Sequence, residues 1–161
     1  MTRTSHVGPS GNQKRKMKSA ARLYAVQALF QMEATSQTAP AVVTEFLVHR
    51  FGAVYENLEM IKGDADMFGE LVENAVNYQA RIDQMTDRAL VAKWPIAKID
   101  PTLRALFRAG GAELCFRKTP PKVVITEFVS IAQAFFPDSQ EIKFVNAVLD
   151  HMAHEVQPEA F

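Results

Sequence analysis

An all-α fold of about seven helices packed as two helical bundles is predicted by three observations. Apolar residues recur at three- and four-residue steps in one segment after another, no segment alternates with the two-residue period of a strand, and the breaks between periodic runs carry residues that start or stop helices. A chain of 161 residues with 48% hydrophobic content is long enough for one domain, or for two small subdomains sharing a core.

Residues 1–13 are rich in Thr, Ser, Gly, Pro and Asn and offer little to bury, so they read as a disordered tail before a helical domain spanning residues 14–161. Met17, Ala21, Tyr24, Ala28 and Met32 mark the buried stripe of a first helix over residues 15–34. The polar stretch Thr35 to Pro40 ends it. A second apolar segment runs through Val42, Phe46, Leu47 and Phe51 to Gly52, and residues 55–61 read as a short helix or a loop. Asp64 and Asp66 precede the run Phe68, Leu71, Val72, Ala75, Val76, where negative charge suits a helix start. That run continues past Ile82 and Leu90 to Trp94-Pro95, with a kink expected near Asp83. Asp100-Pro101 supplies a cap and a first helical residue, and Thr119-Pro120 repeats the signal. Gly110-Gly111 in mid-helix should cost about 1 kcal/mol each against Ala, a cost that close approach of a neighbouring helix would justify. Pro137 ends the sixth run, Asp138 and Glu141 have capping-box spacing, and Ile142, Val145, Leu149, Met152 and Val156 form the stripe of the last helix.

Composition and motifs exclude several classes. No apolar run approaches the roughly 18 residues that span a bilayer, and the basic N-terminus lacks the apolar region of a secretory signal. Cys115 is the only cysteine; it rules out an internal disulfide, fits a cytoplasmic setting and reads as a buried, inert thiol. His151 and His154 are three apart and lack a third metal ligand at helical spacing, so they read as surface histidines. There is no phosphate-binding glycine loop after a strand and no nucleophile–base–acid pattern. No catalytic residue, metal or cofactor is expected.

Two clusters point to nucleic acid. The net charge is zero, yet the first 22 residues hold Arg3, Lys14, Arg15, Lys16, Lys18 and Arg22 and no acid. On a helix, Lys14, Arg15, Lys18 and Arg22 fall within one sector of about 100°. Cations at a helix N-terminus oppose its dipole, and a polyanion would relieve that. The last helix places Lys143, Asn146 and Asp150 on one polar stripe, with Phe144 beside it. Asn can read a base edge and Phe can stack on a base, although a solvated face gives the same pattern.

Four segments together resemble the NusB transcription antitermination family: residues 21–30 (ARLYAVQALF), 103–110 (LRALFRAG) with Glu113-Leu114, 121–127 (PKVVITE) and 143–150 (KFVNAVLD). They stand in the family's order and spacing from about residue 15 to 156. The resemblance implies two helical bundles side by side and binding of boxA-type single-stranded RNA through the basic first helix. It also implies pairing with NusE, a small-subunit ribosomal protein, with Phe30 and the helix around Leu103 as the contact region. The pair would join an elongating RNA polymerase complex and support transcription of ribosomal RNA operons. Self-association of some family members implies a homodimer as a further form. Ser19 and Ala20 stand where the family carries basic residues, and Ala147 stands where it carries Gly. Two other readings stay open on the sequence. One is a helical protein–protein adaptor with an incidental basic tail. The other is a stand-alone relative of the RNA-binding domain of ribosomal RNA cytosine methyltransferases, which would expect a Rossmann-like domain that residues 1–161 do not contain.

Overall fold

The computed structural model describes residues 10–51, the backbone of 54–55 and 58–59, and residues 63–90 and 99–161. Among these, seven α-helices follow in order: α1 (Gly11–Thr35), α2 (Ala39–His49), α3 (Ala65–Asn77), α4 (Gln79–Ala89), α5 (Pro101–Phe116), α6 (Pro121–Phe135) and α7 (Ser139–Val156). A 3-10 turn, Pro158–Ala160, closes the chain. Between α2 and α3 two short strands pair antiparallel, β1 (Val54–Tyr55) with β2 (Leu58–Glu59). This replaces the short helix or loop expected there, and Val and Tyr are residues that favour extended backbone. Trp94-Pro95 lies outside the described residues. None of the described helices is long and apolar enough to cross a membrane.

Helices α1 and α5 form the spine. α1 packs on α2, α3, α5 and α6, while α5 also touches α3, α4, α6 and α7. The first bundle, α1 to α3, closes over the rings of Tyr24, Phe46, Phe51 and Phe68, whose centroids lie 4.8–6.5 Å apart in tilted, edge-on and stacked pairs. The second, α4 to α7, buries Ile82, Met85, Phe107, Phe128, Leu149 and Met152. Both cores merge into one cluster along α1 and α5.

Local chemistry explains most helix ends. Thr38, Asp64, Asp100 and Asp138 each accept a bond from a first-turn amide through the side chain. α1 ends where Ser36 turns left-handed at φ 61°. Three boundaries differ from expectation. Residues 10–13 are not tail: Ser10 caps α1 and Gln13 returns a bond to the Ser10 amide, a complete capping box that starts the helix at Gly11. The break between α3 and α4 falls at Tyr78, not near Asp83, because Tyr78 leaves helical geometry at φ −117° and ψ 24°. Asp83 stays inside α4 and binds Arg108 at 2.8 and 3.0 Å. α6 begins one residue later than expected, with Pro120 as an N-cap lacking a side-chain bond and Pro121 in the first turn.

An ionic link joins the two spine helices. Glu33 near the end of α1 meets both Arg104 and Arg108 of α5. The hydrogen bond from Arg104 holds the Glu33 carboxyl below its ordinary range, against the opposing effect of partial burial.

The paired glycines of α5 sit where α4 and α7 cross it. A Cβ on Gly110 would lie 3.1 Å from Leu149 Cδ2, and one on Gly111 would lie 2.5 Å from Ile82 Cγ2 and 3.2 Å from Met152 Cε. The expected close approach is present. Gly69 in α3 has open space instead. Gly111→Ala therefore overpacks a β-branched neighbour and should lower stability by about 1 kcal/mol net, whereas Gly69→Ala should raise it by about 0.5–1 kcal/mol through helix propensity. Thermal melting of the two variants checks this: opposite shifts of the midpoint are expected, and a stabilised Gly111→Ala would contradict the close crossing.

Candidate nucleic-acid interface

The first three turns of α1 carry the cations. Lys14, Arg15, Lys16 and Lys18 are all exposed, and the first turn holds no acid to offset them. The ridge stands on rigid backbone, because the Ser10 capping box fixes the start and the next turns already pack: the Asp64 amide donates to the Met17 carbonyl at 3.0 Å.

Arg22 does not belong to this ridge. Its residue exposure is 3%, and its guanidinium faces inward. Nε and Nη2 donate to the two carboxylate oxygens of Glu113 at 2.7 and 2.8 Å, and Nη1 donates to Glu127 Oε1 at 2.6 Å. Glu113 is fully buried in α5, and Glu127 of α6 also accepts from Ser19 Oγ at 2.7 Å. Three of its five N–H donors are committed to two carboxylates on α5 and α6, so the group serves the interior even though its edge lines the neighbouring cleft. The expected four-residue ridge is thus Lys14, Arg15 and Lys18.

Two clefts flank it. On one side Arg15 and Lys18 face Arg117 and Lys118, at the end of α5, across a cleft of about 450 Å³ whose rim also includes Thr119 and Pro120. On the other, Lys14 and Lys18 line a smaller cleft of about 340 Å³ with Asp64 and Asp66. The cationic surface is therefore one-sided. Arg117 and Lys118 were not singled out by sequence reasoning. They follow an apolar helix far along the chain, and only the packing of α5 and α6 against α1 brings them to the ridge.

The polar stripe of α7 lies elsewhere. α7 packs on α4, α5 and α6 rather than on α1, so Lys143 and Asn146, both exposed, form a separate patch. Phe144 is half-buried, and its ring meets fully buried Phe107 edge-on at 6.1 Å and 75°. Part of its surface is core.

A third surface sits near the far end of α1. Phe30 is 42% exposed and Phe135 of α6 is 39% exposed; both line an apolar groove of about 420 Å³ with Val26, Phe46 and Thr102. Leu103, expected to share a partner contact with Phe30, is only 7% exposed and belongs to the core. At that turn of α5 it is Thr102 that reaches the groove. Cys115 is half-buried rather than buried, and its burial pushes the thiol up, away from the reactive thiolate. His151 and His154 are exposed, and His154 Nδ1 lies 2.8 Å from the Asp150 carbonyl while its ring stacks on Phe161.

An exposed cationic ridge and an apolar groove, both mounted on one central helix, define a helical binding factor. The family model described as NusB family matches residues 19–154. The transcription antitermination protein NusB of Maricaulis maris (strain MCS10) is 44% identical over 162 residues, covering 100% of both chains. Its namesake from Rhizobium etli (strain CIAT 652) is 44% identical over 142 residues, 88% of each chain. Among solved structures, NusB of T. maritima superposes with a TM-score of 0.71 at 26% identity, over 89% of this chain and 95% of that one. A structure described as antitermination factors NusB and NusE in complex with dsRNA gives the same fold with a TM-score of 0.71 at 22% identity, over 89% of this chain and 98% of the matched chain. The chain belongs to the NusB family of transcription antitermination proteins, a family of non-enzymatic factors.

The burial of Arg22 generates a test. Removing one partner of a buried ion pair leaves the other charge uncompensated, which typically costs 3–5 kcal/mol. Arg22→Met should lose about that much by chemical denaturation, and Arg22→Met combined with Glu113→Met should recover most of it. An Arg22→Met protein as stable as wild type would show that the guanidinium does not hold the helices together.

Proposed function

We propose that this protein is an RNA-binding transcription antitermination factor that takes boxA-type single-stranded RNA on the α1 ridge and pairs with NusE. Together they would join the elongating RNA polymerase complex and support transcription of ribosomal RNA operons. The observation that carries the reading is the exposed set Lys14, Arg15 and Lys18, held on a helix whose next turns are locked into the core. Phosphate neutralisation by such a set gives affinity without sequence preference, so the bases must be read elsewhere. Lys143, Phe144 and Asn146 on α7 supply candidates of the right chemistry: an exposed cation, an exposed amide and a half-buried ring. NusE would seat in the groove beside Phe30, with Leu103 acting through packing alone. The family membership, and the described complex of a structural relative with NusE and dsRNA, support RNA binding and NusE pairing in general; the single-stranded boxA target rests on the family resemblance.

The electrostatic part is tested by salt. For single strands the slope of log K against log salt changes by about 0.7 per phosphate contact, so changing Lys14, Arg15 and Lys18 together to Ala should flatten it by up to roughly 2. Phe144→Ala should behave differently, losing stacking worth about 1–3 kcal/mol with the slope unchanged. If Phe144→Ala instead melts much earlier than wild type, the ring serves the fold and leaves the RNA site. A wild-type protein that binds boxA-like, scrambled and duplex RNA no better than a neutral helical protein would favour the adaptor reading.

The protein partner is tested by size-exclusion chromatography of micromolar mixtures with NusE. A complex is expected, and Phe30→Asp should abolish it while leaving the melting curve intact. No complex with the wild-type protein, whether monomer or homodimer, would refute the pairing.

A further inference from the structure

The cationic cleft between α1 and the α5–α6 connection has features that the ridge alone does not explain. Arg117 binds Glu70 of α3 through Nη1, yet its Nε is buried and has no hydrogen-bond partner among the described residues. Nε itself is out of a ligand's reach, but the side chain keeps 24% of its surface exposed and lines the cleft, so its charge is available there. The same cleft is rimmed by the start of α6, where Pro120 and Val123 line it and no side chain caps the helix. The positive end of a 15-residue helix dipole therefore stands uncancelled beside Arg15, Lys18, Arg117 and Lys118. Glu127 is the one acid on the wall, and its Oε1 is occupied by Arg22 and Ser19. Across the ridge, Asp64 and Asp66 make the opposite flank unfavourable to an anion.

We propose that this cleft holds a phosphodiester group of the bound RNA, with Arg117 and Lys118 as phosphate ligands opposite Arg15 and Lys18. The inference rests on the RNA reading above and adds a direction to it. The strand leaves α1 over the α5–α6 connection and avoids the acidic start of α3. Arg117 offers a guanidinium donor already held in place by Glu70, and Lys118, exposed beside it, offers a mobile charge.

The test compares K118Q, R117Q and the R117Q/K118Q pair with R15Q/K18Q, using wild-type protein as reference and thermal melting as a fold control. Binding of a boxA-like single strand and of a scrambled one is measured across a salt series. Each single change is expected to weaken both RNAs alike and to flatten the salt slope by about 0.7, the signature of one lost phosphate contact. Lys118 is exposed, so K118Q carries the test even if R117Q melts early through loss of its Glu70 pair. If R15Q/K18Q weakens binding while K118Q and R117Q/K118Q keep the wild-type affinity and slope, the cleft is not a phosphate site and the RNA reading stands. If wild-type protein shows no salt-dependent RNA binding, the RNA reading fails and takes the cleft with it.

Discussion

The ion triad of Arg22, Glu113 and Glu127 sets the register of the molecule. It joins α1 to the consecutive helices α5 and α6, about a hundred residues further along the chain, and it does so in the interior, where two of its members are all but sealed from solvent. Burying charge is expensive unless geometry is good and the remaining lone pairs are used. Here the guanidinium meets one carboxylate side-on through two parallel bonds, the second carboxylate takes a further donor, and a serine hydroxyl completes the set. Such an arrangement tolerates little sliding or rotation of α1 against α5 and α6. A purely apolar seam would allow more, since apolar contacts are non-directional. Rotation of α1 decides which of its cations reach water, so the surface chemistry depends on an interaction hidden from it.

The fold was largely legible from the sequence because its information is local. Caps at Asp64, Asp100 and Asp138, the break after Thr35, and the apolar stripes of α5 and α7 require only neighbours a turn away. The boundary at Tyr78 was less visible because no proline or glycine marks it, whereas Asp83, where a kink was expected, stays helical and pairs with Arg108 of α5. Gln13 three residues after Ser10 did carry a signal for the true start of α1; the low apolar content of the tail obscured it.

The site was only partly legible, for a reason of geometry. At about 100° per residue, Lys18, Arg22, Ala25 and Leu29 share one sector of α1. Ala25 and Leu29 are buried, so the sector that is solvent-facing in the first turns goes under the core further along, and Arg22 stands at the crossing. Glu113 held the complementary clue: an acid placed among Gly, Ala and Leu on a helix that reads as buried needs a cation from elsewhere. Neither clue names its partner. Leu103 shows the same limit from the other side, since a residue next to an interface and a residue within it look alike until burial is known. Arg117 and Lys118 had no local signal at all; their neighbours on α1 are about a hundred positions away.

Helix α1 carries its two exposed surfaces like marks on a ruler. Arg15 and Phe30 are fifteen residues apart on an unbroken helix of 25, which puts them about 22 Å apart along the axis. Backbone hydrogen bonds fix that separation, and the packing of α2, α3 and α5 keeps the shaft from bending. Two ligands seated at opposite marks do not compete for surface. If they also touch one another, their contact becomes intramolecular, and its strength is set by effective concentration rather than by what is free in solution. A stiff spacer spends little entropy in bringing such ligands together. The unbroken first helix thereby acts as a bivalent platform, able to make a weak pair of ligands hold each other in place.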